Sequence, residues 1–154
     1  MPYFWTKAFS FTAYVRIGEI PMKTSCGILL KVNDKILLGR STGNLHWDIP
    51  KGIKHENEEP LEAAVRETFE ETGLKVEKKL LKENGIFNLN NKKNLHLFET
   101  NKVKFNVEEL ICHSMVVLPE REPFPEMDKF GLFTKEEAIE KVYPSLKKVL
   151  QDVL

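Results

Sequence analysis

The sequence is short of most features that mark an unusual protein. Only two cysteines, Cys26 and Cys112, occur in 154 residues. That excludes a disulfide framework, and because both stand in apolar runs (Thr24 to Val32 and Leu110 to Val117) they read as buried, reduced thiols. Net charge is lacking as well: 23 Lys and Arg balance 23 Asp and Glu, so the strongly basic surface of a general nucleic-acid binder is not indicated. No apolar run approaches the roughly 20 residues that cross a membrane. The N-terminus, interrupted by Arg16 and Glu19, has no clean hydrophobic signal core. His46, His55 and His113 show no ligand spacing with one another or with the cysteines, which argues against a zinc site. What these absences leave is one soluble, cytoplasmic domain, an enzyme or a binding module, long enough to bury a core.

What is present has a clear order. Residues 1–22 crowd Tyr3, Phe4, Trp5, Phe9, Phe11 and Tyr14 into a β-prone extension, expected to add a strand or hairpin to the domain; a dimer contact or a stacking platform is the alternative. Ser25 to Val32 and Lys35 to Leu38 read as a hairpin joined by Asn33-Asp34. The segment Leu45 to Ile53 is loop-like after Trp47, punctuated by Pro50 and Gly52. A helix follows, with Pro60 suited to its first position and Gly73 to the residue after its end. Further strands are expected at Lys75 to Leu81, Asn84 to Leu89, Leu95 to Val103, Glu109 to Leu118 and Phe130 to Phe133, with a turn in Asn88 to Asn94. Thr134 and Glu137 match a capping box, and Pro144 opens a last helix carrying Leu146, Val149, Leu150 and Val153 at helical spacing. Strands, helix, strands, helices: the order predicts an α/β (α+β) domain over 23–154 with helices covering a mixed sheet.

The segment WDIPKGIKHENEEPLEAAVRETFEETGL, Trp47 to Leu74, carries the chemistry. At about 100° per residue, Leu61, Ala64, Val65, Thr68 and Thr72 share the buried face of the helix, with Phe69 at its edge. Glu67 and Glu71 lie together on the flank, and Glu70 points toward solvent. Three carboxylates within five residues repel one another, and in the last turn the macrodipole also disfavours negative charge. A solvated acidic face explains most Glu pairs, but these sit at the core's edge beside a Pro-Gly loop. Hard oxygens converging there suit Mg²⁺.

The spacing Gly52, Glu58, Arg66-Glu67, Glu70-Glu71, Gly73-Leu74 resembles the complete Nudix box, here residues 52–74, with Thr68 standing where an aliphatic residue is usual. The resemblance implies an α/β/α sandwich with a mixed central sheet, and a metal-dependent hydrolase that cuts a pyrophosphate bond in a nucleoside diphosphate linked to another group. By similarity, Glu67 and Glu71 ligate Mg²⁺ (Mn²⁺ is the alternative) with the main-chain carbonyl of Lys51, Glu70 binds a further ion, and Arg66 holds the box carboxylates by pairing with Glu58. The general base is Glu67 or a later carboxylate, for which Glu126 in Pro-Glu-Met-Asp-Lys-Phe is the candidate ahead of Asp128.

The residues before the box resemble those of diadenosine-tetraphosphate hydrolases and RNA 5′-pyrophosphohydrolases, which favours dinucleoside polyphosphates or 5′-triphosphate RNA as the nucleotide-type substrate. The downstream tyrosine of dinucleoside polyphosphate hydrolases is missing, and so is the proline of many ADP-sugar hydrolases. An NDP-sugar or housecleaning nucleotide hydrolase therefore stays open, as does a binding domain without turnover. Lys51 and Phe98 are the candidate substrate contacts, for phosphate and base; solvent is the alternative place for Lys51, the core or sheet surface for Phe98. A monomer and a homodimer fit the sequence equally.

Overall fold

The computed structural model describes residues 21–154, together with the backbone of Trp5–Lys7 (β1) and Tyr14–Arg16 (β2), which pair antiparallel. The expected packing of residues 1–22 on the domain lies outside the described residues. Lys23–Val32 (β3) is buried along most of its length, as suits a central strand covered on both faces. Asn33, in the left-handed region at φ 56°, turns the chain into Lys35–Ser41 (β4) through a two-residue loop. Trp47–Asp48 (β5) pairs with β4, and Lys51–Ile53 (β6) with β3. Lys82–Asn90 (β7) and Lys93–Thr100 (β8) form a second hairpin, and β8 runs parallel to β3. Met127–Thr134 (β11) closes the far edge, giving the order β11-β4-β3-β8-β7 in a mixed sheet. Met115–Val116 (β9) and Phe124–Pro125 (β10) make a separate two-stranded pair.

Pro60–Thr72 (α1) begins at its proline and stops at Gly73, whose φ of 81° puts it in the left-handed region and whose N–H caps Phe69 O. Lys135–Lys141 (α2) starts from the predicted Thr134/Glu137 capping box, and Pro144–Val153 (α3) presents Leu146, Val149 and Leu150 inward. The sheet therefore separates two apolar clusters. On one face Cys26, Ile28, Leu30, Leu37 and Phe98 pack with Ala63 and Ala64 of α1. On the other, Leu29, Ile36, Leu38, Leu95 and Leu97 pack with Ala138 of α2 and Leu146, Val149 and Leu150 of α3. This is the expected α/β/α sandwich.

One expected strand does not form, and another survives only as the two residues of β9. Residues 75–81 form an irregular segment with a 3-10 turn at Lys78–Leu80; only Val76 is buried, and the charged residues around it have no sheet partner. Of residues 109–118 only Met115 and Val116 pair, with β10; the part before them spends its backbone donors on the end of α1, Ile111 N donating to Thr72 O and His113 N and Ser114 N both to Glu70 O. Because that segment runs over the surface, Cys112 is only half-buried, whereas Cys26 is fully buried. Phe69 is exposed, stacked on His113 at 5.7 Å.

Candidate active site

Local chain geometry brings the box residues together at one end of the sheet. β6 lies against β3 with Gly52 opposite Cys26, and α1 crosses behind it. The close approach needs Gly52, because a Cβ there would overlap the Glu67 carboxylate. Glu71 is buried, 2% exposed, and its Oε1 accepts from Lys51 N at 2.7 Å. Burial, the facing charge of Glu126 and, more weakly, those of Asp48 and Glu67 push the Glu71 carboxyl well above its usual range. Burial raises Glu67 too, although the Arg66 guanidinium opposes it.

Arg66 organises the cluster. Its Nε and Nη2 donate to the two oxygens of Glu58 at 2.6 and 3.0 Å, and Nη1 reaches Glu67 at 2.8 Å and Glu70 at 3.2 Å. Its Nη2 also donates to Ile53 O. This is the scaffold pairing that the resemblance implies. Arg66, together with the His55 N–H, holds the Glu58 carboxyl down from its ordinary 4.5 to about 2. A carboxylate depressed in the folded state adds stability that is fully present above its unfolded value and is lost as pH falls through the folded one. Glu58→Gln is therefore expected to lower the urea midpoint by a constant amount above about pH 5. The difference from wild type should shrink steadily toward pH 2, as followed by urea unfolding across that range.

Glu126 stands between β10 and β11, where the charges it exerts on Glu71, Glu67 and Lys51 place it facing the box. Three hydrogen bonds fix it: its N donates to Ser114 O at 2.8 Å, its O accepts from Thr42 N, and its Oε2 accepts from Ser114 Oγ at 2.7 Å. Ser114 in turn hangs from Glu70 O, so the later loop is tied to the end of the box helix. Asp128 is instead engaged by Arg40 in a two-point ion pair at 2.8 and 3.0 Å.

Lys51 does not point into solvent. Its ammonium meets Asp48 at 3.1 Å with both side chains largely covered. Burial pulls its proton affinity down, but the charge and hydrogen bond of Asp48, joined by the charges of Glu71 and Glu126, together outweigh this and hold it above the usual lysine range. Lys51, Asp48 and Glu126 line a cleft completed by Ser41, Asn90, Lys93, Tyr143 and Ser145. Phe98 is not brought there. It is 4% exposed beneath α1 and stacks on His96 at 4.8 Å, so the structure places it in the core. Asp48, Lys93 and Ser114 are the site residues that the sequence reading missed; Asp48, three residues before Lys51, was the one within reach of local spacing.

Among the described residues, no three His, Cys, Asp or Glu side chains already converge as a preformed metal-ligand set. The donors nevertheless fit a hard divalent cation. Glu71 is a buried carboxylate repelled by three others, and among the described residues only Arg66 pairs with Glu67 and Glu70. Such a cluster is a standing deficit of positive charge, which an ion would relieve.

The NUDIX domain matches residues 21–153, nearly the whole chain. The chain belongs to the Nudix family. An RNA pyrophosphohydrolase of Bartonella henselae is 40% identical over 73 residues, covering 41% of this chain and 42% of that protein; the Nudix chain thus spans less than half the length of that relative. The crystal structure of a MutT Nudix hydrolase from Burkholderia pseudomallei superposes with a TM-score of 0.65 at 18% identity, over 88% of this chain and all of that one. That of a C. elegans Ap4A hydrolase binary complex gives 0.57 at 20% identity, over 83% and 93%. Both show that the fold is shared.

Proposed function

We propose that this Nudix domain, residues 23–154, is a Mg²⁺-dependent pyrophosphohydrolase acting on dinucleoside polyphosphates or 5′-triphosphate RNA, with residues 1–22 as an added extension. The observation that carries the reading is Glu71: a carboxylate buried against the Lys51 backbone, faced by Glu67 and Glu126, has no structural use for its charge. The partial match to an RNA pyrophosphohydrolase supports the RNA end of the substrate range, and so do Trp47 and Pro50 ahead of Gly52.

Glu67, Glu70 and Glu71, with the Lys51 carbonyl, would hold the ion, Mn²⁺ being the alternative. When bound, a divalent ion neutralises phosphate oxygens and lowers the pKa of a water. The chain's own residues do the rest. Arg66, braced by Glu58, keeps Glu67 and Glu70 at fixed separation, so their orientation does not have to be recovered at each turnover. Glu126 receives the proton of the attacking water at Oε1, the oxygen left open while Ser114 occupies Oε2. Glu67 is the weaker base because Arg66 already bonds it. Lys51, steadied by Asp48, lies beside Glu71 to receive a phosphate oxygen. In-line attack at one phosphorus then releases the other phosphate as the leaving group.

Chromatographic resolution of the nucleotide and pyrophosphate products formed with Mg²⁺ from a panel of dinucleoside polyphosphates, triphosphorylated RNA, NDP-sugars and nucleoside triphosphates tests this. Turnover is expected on the first two in preference to NDP-sugars. Preference for NDP-sugars would overturn the substrate assignment, and silence over the whole panel would favour a binding domain.

A further inference from the structure

The cleft beside the box carries a cation that the hydrolytic steps do not use. Lys93 opens β8 just after the β7 turn and lines the cleft together with Lys51, Asp48, Asn90, Ser41 and Ser145. It is partly buried, and Lys51 is among the charges that act on it. The carboxylate between them, Asp48, is already bonded to Lys51 at 3.1 Å. Among the described residues, no carboxylate lies within ion-pair distance of Lys93. The cleft's other carboxylate, Glu126, lies at the box end, and the charges acting on Lys93 are Lys51 and Lys23 against Asp48; positive charge is thus in excess locally around Lys93, which favours an anion there.

The rest of the lining shows what kind of anion. Ser41, Asn90 and Ser145 offer hydroxyl and amide groups. Tyr143, the aromatic residue of the cleft, has its hydroxyl donating to Ser41 Oγ at 3.0 Å and accepting from Asn44 Nδ2 at 3.2 Å. Its ring packs against His46 at 4.6 Å. This is a polar trough suited to phosphate oxygens, not a slot for a nucleobase. One end is acidic (Glu67, Glu71, Glu126) and the other basic (Lys51, Lys93), so charge changes sign along its length.

We propose that Lys93 is a specificity-determining residue which, with Lys51, holds substrate phosphates lying beyond the scissile anhydride. The cleft therefore selects a linear chain of three or more phosphates over a diphosphate joined to a neutral group. This rests on reading the cleft as the substrate site, and it selects within that reading: an NDP-sugar has no phosphate to give Lys93.

Binding of inorganic tripolyphosphate and of pyrophosphate to the full chain, measured by calorimetry without divalent cation, tests the inference independently of turnover. Lys93→Ala is expected to weaken tripolyphosphate about tenfold and pyrophosphate by less than about threefold, the scale of one charge-assisted contact. Lys93→Arg should restore most of the difference, and added salt should shrink it. Equal weakening of both probes, no weakening of either, or no binding of tripolyphosphate by the wild type would each overturn the proposal. If the wild type hydrolyses nothing yet Lys93→Ala still discriminates between the probes, the hydrolase reading fails and this one stands. If it hydrolyses polyphosphates while Lys93→Ala affects both probes alike, only this one fails.

Discussion

Glu71→Gln should reduce kcat by roughly a thousandfold or more while leaving the protein folded. The amide keeps the length of the side chain, and its oxygen can still accept from Lys51 N, the one side-chain hydrogen bond Glu71 makes among the described residues. What it removes is a negative charge that burial, Glu126, Asp48 and Glu67 all disfavour. A carboxyl whose folded pKa is raised costs stability as pH climbs above the ordinary carboxylate range, because the folded state then resists losing the proton. Near neutrality and without divalent cation, the variant should thus melt at or above the wild-type temperature. Loss of activity with unchanged or improved stability is the signature of a residue kept for chemistry. Thermal unfolding by circular dichroism and turnover on the preferred substrate decide it; near-normal turnover would remove Glu71 from the site.

Gly52→Ala is expected to produce the second large effect. The Cβ it adds would overlap the Glu67 carboxylate, the free end of a flexible side chain that can swing aside. Relief by that route limits the cost in stability to about 1–3 kcal/mol. The functional cost is larger, because the displaced group is the one Arg66 holds at 2.8 Å. Misplacing a catalytic group by about 1 Å costs on the order of a hundredfold in rate. Turnover should fall by about that much, with a urea midpoint showing a mostly folded protein. Wild-type kcat in Gly52→Ala would show that the position of Glu67 is unimportant.

These two residues illustrate which parts of the molecule were legible in its sequence. The box is local: Glu58, Arg66, Glu67, Glu70 and Glu71 lie on one helix and the loop before it, so periodicity alone sets which carboxylates share a flank. Helix ends were equally readable, because Pro60, Gly73 and the Thr134/Glu137 box act within a turn of their own positions. The strand faces were not. Phe98 was a candidate substrate contact, yet the period of two along β8 sends Leu95 and Leu97 toward α3 and His96 and Phe98 toward α1. Only the covering helices reveal which parity reaches the cleft. Residues 75–81 and 109–118 have the composition of strands but find no edge of the main sheet; only Met115–Val116 pairs, with β10. The second of these instead ties Glu126 to α1 through Ser114, a connection between distant segments that no spacing records. Lys93 is hidden for the same reason: it lines the same cleft as Lys51 from a different strand of the sheet.

The hydrolase function requires that these carboxylates form a working divalent-cation centre. Mn²⁺ binding followed by electron paramagnetic resonance, in wild type and Glu71→Gln, with turnover measured on the same samples, addresses that most directly. The expected result is saturable binding by the wild type that tracks turnover as metal is titrated, with both lost together in Glu71→Gln. Turnover that proceeds undiminished when Glu71→Gln has lost the metal, or metal binding that survives the substitution unchanged, would contradict it.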